Sequence, residues 1–151
     1  MGMDKNMMSV GADPQGLAGR LAGVMMNSAH RPVYIWAAGQ LGIESGDKIL
    51  DVGCGGGKAV KMMSRWAAEG LVCGVDHSQM MTEKASRLNK RAVTAGTAKI
   101  QQARVDTLPY ADETFDIITA FETIQFWPDI PNGLSEIKRV LKPSGRLMIV
   151  N

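Results

Sequence analysis

Residues 49–58 read Ile-Leu-Asp-Val-Gly-Cys-Gly-Gly-Gly-Lys. A short apolar run carries an acid, and glycines follow at 53, 55, 56 and 57. The apolar part fits a buried parallel strand and the glycines fit the turn after it. With no Cβ in the way, such a turn lets a ligand lie almost against the backbone. A helix starting beyond it aims its unpaired N–H groups and positive dipole end at that ligand. Three glycine-rich templates compete for this stretch. The phosphate-loop pattern G-x-x-x-x-G-K-[ST] needs glycine where Val52 stands and a hydroxyl where Ala59 stands, so it fails twice. The dinucleotide pattern G-x-G-x-x-G puts its third glycine on Lys58. The third pattern, acid-x-G-x-G-x-G, is met in full by Asp51, Gly53, Gly55 and Gly57.

The surrounding elements decide what else reaches this turn. Residues 1–14 are polar, contain Met and Gly, and read as a flexible N-terminus. Residues 15–44 read as N-terminal helices. Leu17, Leu21, Val24 and Met25 fall at helical spacing over 16–27, weakened by Gly19 and Gly23. A second helix starts near Pro32 and carries Val33, Ile35, Trp36 and Leu41 inward. From residue 45 onward strands and helices alternate. Strands are expected at 48–52, 71–76, 99–104, 115–121 and 146–150. Helices are expected at 58–68, at 78–94 with Ser78 as N-cap and Gly96 as terminator, and at 129–141. In the last helix Leu134, Ile137, Val140 and Leu141 share one face. Lys142-Pro143-Ser144-Gly145 suits a type I turn. This alternation implies parallel strands with right-handed crossovers. In such an open sheet the ligand sits beyond the carboxyl ends of the strands, so the residues after the first four strands should face one site.

Each of those corners carries chemistry. Asp76 ends the second strand, where a carboxylate either accepts from ribose hydroxyls or caps the next helix. It opens the run Asp76-His77-Ser78-x-Met80-Met81. After the third strand comes Asp-x-Leu-Pro-Tyr-x-Asp-x-x-Phe-Asp at 106–116, in which Asp112 and Asp116 read as turn and strand-entry residues. After the fourth comes Phe121-Glu122-Thr123-Ile124-Gln125-Phe126-Trp127, an aromatic corner suited to excluding water and shaping a pocket. Glu136-x-x-Arg139-Val140-Leu141-Lys142-Pro143-Ser144-Gly145 leads into the fifth.

In order and spacing these runs resemble the motifs of the class I S-adenosylmethionine-dependent methyltransferases, in their methyltransferase type 11-like, small-molecule group. The resemblance covers about residues 45–150. Ser144 stands where the family usually has a glycine, a change that a type I turn accepts. The resemblance implies an α/β fold: a Rossmann-like doubly wound parallel sheet with strand order 3-2-1-4-5 and helices on both faces. Residues 45–151 would be the cofactor-binding domain, with S-adenosylmethionine as cofactor and S-adenosylhomocysteine as product. By the same resemblance the turn of Asp51, Gly53, Cys54 and Gly55 holds the methionine part and Asp76 the ribose. Met80 or Met81 packs on the adenine face, with His77 beside it or simply at the helix entry. Asp106 accepts from the adenine amino group, the backbone N–H of Thr107 reaches the ring, and Phe121 lies near the transferred methyl. Glu122 is the candidate catalytic residue, as a base or acceptor positioner; the alternatives are that it holds the loop or meets the cofactor's amino group.

The implied reaction is an in-line displacement at a sulfonium-bound methyl. It needs the reacting atoms aligned at roughly 3–3.5 Å and requires no metal. Residues 15–44 are the candidate lid or acceptor wall, with His30, Tyr34 and Trp36 as either contacts or capping and core residues. The alternative is a non-catalytic S-adenosylmethionine-binding or scaffold domain. The family's sheet continues past the fifth strand, whereas this sequence stops at Asn151, so the chain reads as C-terminally truncated relative to the family. That leaves the fifth strand as an apolar edge, from which self-association is expected.

Bulk properties narrow the partners. The 151 residues suit one domain with a real core. A net charge of +2 argues against a dedicated nucleic-acid binder and leaves a small-molecule acceptor as the expectation. Lys84, Arg87, Lys90 and Arg91 read as a solvated helix face. Cys54 and Cys73 have no metal-like spacing and read as reduced core thiols of a cytoplasmic protein, with no metal site. No stretch is long and apolar enough to span a membrane, and Arg20 interrupts the only signal-like run.

Overall fold

The computed structural model describes residues 31–151. The expected flexible start, the helix expected over 16–27 and His30 lie outside the described residues. The order of elements is α1 (Arg31–Leu41), β1 (Lys48–Val52), α2 (Lys58–Trp66), β2 (Leu71–Asp76), α3 (Gln79–Leu88), α4 (Lys90–Ala95), β3 (Ala98–Gln102), β4 (Phe115–Phe121), a 3-10 turn (Ile124–Phe126), α5 (Ile130–Val140) and β5 (Leu141–Val150). The strands form one sheet in the order β3-β2-β1-β4-β5, and every neighbouring pair is parallel. This is the expected Rossmann-like doubly wound sheet, and its order reverses between β1 and β4. Among the described residues no helix is long and apolar enough to cross a membrane.

The period of two along each strand divides the core between the sheet's faces. Ile49, Val72 and Ile117 pack with Leu41 of α1, Val60 and Met63 of α2 and Ala85 of α3. Leu50, Val52, Cys73, Val75, Ile118 and Ala120 pack with Ile137 and Val140 of α5. Helices therefore cover both faces. This is why β1, with Ile49 to Val52 all buried, reads as a continuous rather than an alternating apolar run.

Several local expectations are corrected. In α1 the buried face is Tyr34, Ala37 and Leu41, while Ile35 and Trp36 are exposed rather than inward. Residues 34, 37 and 41 stack on one side of a 3.6-residue helix, and 35 and 36 are carried around it. Arg146 of β5 donates to the carbonyls of Leu41 and Gly42, which closes the C-terminal end of α1. In α5 the inward residues are Gly133, Ile137 and Val140, and Leu134 is exposed. Gly133 lets the helix settle on Trp127 and Val105, where a Cβ would stand only 3.0 and 3.2 Å away.

The helix expected over 78–94 divides at Asn89. That side chain donates to the carbonyls of Ala85, at 2.9 Å, and Gly57, at 3.0 Å. A side-chain amide bonding to backbone in this way competes with helical continuation. Around 142–145 the chain loops out within β5: Phe115 pairs with Leu141, but Ile117 already pairs with Arg146. β3 ends at Gln102 rather than at 104.

Candidate functional site

The glycine turn is tied to the end of β2. The N–H groups of Gly53 and Cys54 both donate to the Val75 carbonyl, at 2.8 and 2.9 Å. Gly53 has φ +71°, and a Cβ there would lie 2.5 Å from Cγ2 of Thr123, so both backbone and space demand glycine. Thr123 Oγ1 donates to the Val52 carbonyl at 3.3 Å, which fixes that neighbour. At Gly55 a Cβ would meet nothing within 4 Å, so this side of the turn is open. α2 then starts at Lys58, with Gly57 as an N-cap that offers no side-chain bond. Cys54 is buried with its Sγ 3.8 Å from the Gly55 carbonyl; burial, then Asp51 and Asp76, pushes its thiol well above the usual range, so it stays neutral.

Asp76 joins the turn to the second corner. It is 8% exposed. Its Oδ2 accepts from Gly55 N–H at 2.9 Å and its Oδ1 from Ser78 N–H at 2.9 Å. A carboxylate offers about four acceptor positions, so about two remain for a ligand. The α3 cap itself is Ser78, whose Oγ accepts from Met81 N–H at 3.4 Å. His77 is exposed at the mouth, with Nδ1 3.6 Å from Asp76 Oδ1. Met81 is buried in the core, while Met80 in the same first turn is partly exposed.

Asp51 and Thr119 are registered partners on β1 and β4 and face the α1–α2 side. Thr119 Oγ1 donates to Asp51 Oδ1 at 2.7 Å. Burial raises the Asp51 pKa from 3.8 to about 7; the Thr119 bond opposes this and the Asp76 charge adds to it. Tyr34 stands close by. Burial first, then Asp51 and Glu122, raises its pKa, so it is a neutral phenol. Its ring meets Phe121 edge-on at 4.8 Å. α1 thus sets Tyr34 against Phe121 at the end of β4. Glu122 has φ +50°, and its N–H donates to the Val150 carbonyl at 2.6 Å. A non-glycine residue held in this left-handed region at a strand end is a strained position of the kind that gathers at functional sites.

The third corner differs from its sequence reading in one respect. Asp106 is bonded by Arg104 through both oxygens, Nε to Oδ1 at 3.0 Å and Nη2 to Oδ2 at 2.8 Å. This bond holds the Asp106 carboxyl below the usual range. Thr107 is exposed, and its Oγ1 donates to Asp106 Oδ1 at 3.3 Å. Its N–H, which the family pattern aims at the adenine ring, already donates to the Arg104 carbonyl at 3.2 Å. The loop is clasped from α5. Glu136 Oε2 accepts from Leu108 N–H at 2.8 Å. Arg139 donates to the carbonyls of Leu108, at 3.1 Å, and Tyr110, at 2.7 Å. Glu136, with Asp112 second, raises the Arg139 pKa, so it stays cationic. Asp112 pairs with Arg139 and Asp116 with Lys142, as turn and strand-entry residues.

The structure thus gathers the turn, Asp51, Asp76, Phe121 and Glu122 at the carboxyl ends of β1, β2 and β4, with Asp106 and Thr107 beyond β3. Sequence reasoning passed over Thr119, Asn89 and Arg104, and it quoted Thr123, Glu136 and Arg139 without assigning them a role. A threonine inside an otherwise apolar strand and an asparagine inside a helical pattern were the available signals. Nothing in the spacing pointed to Arg104.

Comparison with known proteins agrees with this architecture. Residues 50–149 match the family model described as a methyltransferase domain. The 27-O-demethylrifamycin SV methyltransferase of Amycolatopsis mediterranei is 34% identical over 113 residues, 74% of this chain and 41% of that protein. The uncharacterised methyltransferase YdaC of Bacillus subtilis is 30% identical over 129 residues, 85% of this chain and 69% of that protein. A solved S-adenosylmethionine-dependent methyltransferase from Aquifex aeolicus superposes with a TM-score of 0.71 at 25% identity, over 77% of this chain and 62% of that one. The chain therefore spans between 41% and 69% of the length of these proteins.

Proposed function

This chain belongs to the methyltransferase domain family, and from that membership we propose that it binds S-adenosylmethionine and transfers the methyl group to a small molecule. One observation carries the reading. The 2.9 Å bond from Gly55 N–H to Asp76 sets an open glycine turn beside a buried acid with spare acceptor positions. Those two features fit a ligand that presents ribose hydroxyls next to a compact amino-acid chain. The relative named for 27-O-demethylrifamycin SV supports a small-molecule acceptor.

When bound, the cofactor supplies a methyl already activated by a positive sulfur. The chain's own residues bind and orient. The turn at Gly53 and Gly55 gives the methionine part close approach, and Asp51 with Glu122 offers carboxylates to its ammonium. Asp76 accepts from the ribose hydroxyls, and Asp106 accepts from the adenine amino group. Tyr34, Phe121 and the loop through Trp127 exclude water, so that alignment rather than acid–base work carries most of the rate.

Calorimetry with S-adenosylhomocysteine and, separately, NAD tests the binding. The first ligand should bind and the second should not. Asp76→Ala should weaken the first by about 1–3 kcal/mol, the range for hydrogen bonds to a charged group. Failure of the wild-type chain to bind S-adenosylhomocysteine, or an unchanged affinity in Asp76→Ala, would refute the assignment. Label transfer from methyl-labelled S-adenosylmethionine into a small-molecule extract tests the reaction itself.

A further inference from the structure

We infer that Arg104 is a specificity-determining residue, whose guanidinium supplies the hydrogen-bond donor to a purine ring nitrogen. The inference rests on the reading above, in which an adenosyl group lies against residues 76–77 and 106–107. Its place is set by the sheet. Ala103 N–H donates to the Asp76 carbonyl at 3.0 Å, and Gln102 Nε2 donates to the His77 carbonyl at 2.9 Å. Arg104 is therefore the next residue after the last rung joining β3 to the Asp76 corner.

The backbone donors that follow Asp106 are engaged. Thr107 N–H bonds the Arg104 carbonyl, and Leu108 N–H bonds Glu136 at 2.8 Å. With those two amides taken, a side-chain donor at this corner can serve a purine ring nitrogen. The two-point bond to Asp106 fixes the guanidinium in one plane. A guanidinium has five N–H donors. The pair takes one on Nε and one on Nη2, leaving both on Nη1 and the second on Nη2. Open donors thus stand beside a carboxylate that, after Arg104 and Thr107, retains about one open acceptor position. Adenine offers the complementary pattern on its edge, an amino donor next to a ring-nitrogen acceptor. The side chain is 60% exposed, so a ligand can reach it.

The test is calorimetry with S-adenosylhomocysteine and its 1-deaza, 3-deaza and 7-deaza counterparts, on the wild-type chain and on Arg104→Ala. The exposed position makes that variant a mild one for folding, and thermal denaturation checks it. Arg104→Ala should bind S-adenosylhomocysteine about tenfold more weakly, as expected for one charge-assisted hydrogen bond in a partly wet site. The wild-type chain should already lose about tenfold to one deaza compound, and that compound should bind Arg104→Ala no more weakly than wild type. Undiminished S-adenosylhomocysteine binding in the variant overturns the inference alone. An equal loss for all four ligands also overturns it, because Arg104 would then act only by fixing Asp106. No S-adenosylhomocysteine binding by the wild-type chain overturns the adenosyl reading and this inference with it.

Discussion

Replacing Asp51 by Asn removes a buried carboxyl whose proton affinity the fold has raised. Asp51 is 2% exposed. Burial lifts its pKa from 3.8 to about 7, with the Thr119 bond opposing and Asp76 adding. Glu122, Tyr34 and Cys54 are the other titratable groups coupled to this corner. The folded chain holds the Asp51 proton more tightly than the unfolded chain does. The stability contributed by the neutral form is therefore complete below about pH 4 and is lost as pH rises through about 7. With those two pKa values, the loss between about pH 5 and pH 8 comes to roughly 2–3 kcal/mol. Urea unfolding of wild type and Asp51→Asn across that range measures it, because the difference cancels the titrations the two share. The variant should gain on wild type by roughly that amount as pH rises. A difference that stays flat would refute the claim that burial governs this carboxyl. The ligand adds a second readout. A cofactor ammonium placed at Asp51 favours the ionised form, so binding below pH 7 should release a proton from wild type and none from Asp51→Asn. Calorimetry in buffers of different ionisation enthalpy reads this directly.

Gly53→Ala should destabilise by about 2 kcal/mol or more, from the cost of a left-handed φ together with the 2.5 Å approach to Thr123. Thr123→Ala in the same chain should recover only the part owed to Cγ2 and Oγ1, because the Thr123 Cβ stays 2.7 Å from the added carbon, and an unchanged urea midpoint in the single variant would contradict the steric account. Arg139→Ala should cost about 1–2 kcal/mol, discounted for partial exposure, because the Leu108 and Tyr110 carbonyls and Glu136 lose their partner. It should also speed hydrogen exchange at Leu108 N–H and weaken S-adenosylhomocysteine binding through the loosened 106–112 loop; normal exchange at that amide would argue against the clasp.

The fold was legible because pattern and neighbours agree. The buried run from Ile49 to Val52, the small and β-branched residues of β2 and the turn residues between elements can be satisfied together only by parallel strands with crossover helices. The errors arose where one side chain redirects the backbone. Asn89 divides a helix that periodicity alone continues, and Gly133 turns α5 so that Leu134 leaves the core. At α1, apolar identity was mistaken for inward direction, and Ile35 and Trp36 face outward. In the site, residue types picked out acids that the structure sets at strand ends, but side-chain pairing is not written in spacing. The Asp51–Thr119 bond joins residues 68 apart in sequence, and the clasp of Arg139 on Leu108 joins residues 31 apart.

The glycine turn contributes space more than donors. Of its N–H groups, those of Gly53 and Cys54 bond Val75, that of Gly55 bonds Asp76, and that of Gly57 bonds the Cys54 carbonyl at 3.0 Å. A phosphate seated there would find those amides engaged, and it would face Asp51, Asp76 and Glu122. Like charge in a partly dry corner is strongly unfavourable. A ligand bearing a sulfonium, an ammonium, hydroxyls and an aromatic amine meets the opposite situation, since each of those groups is a cation or a donor opposite an acceptor. The acids around the turn thus favour a ligand that presents cations and donors to them. On the binding proposed above, Arg104 at the third corner meets the purine, the part of such a ligand that presents ring acceptors.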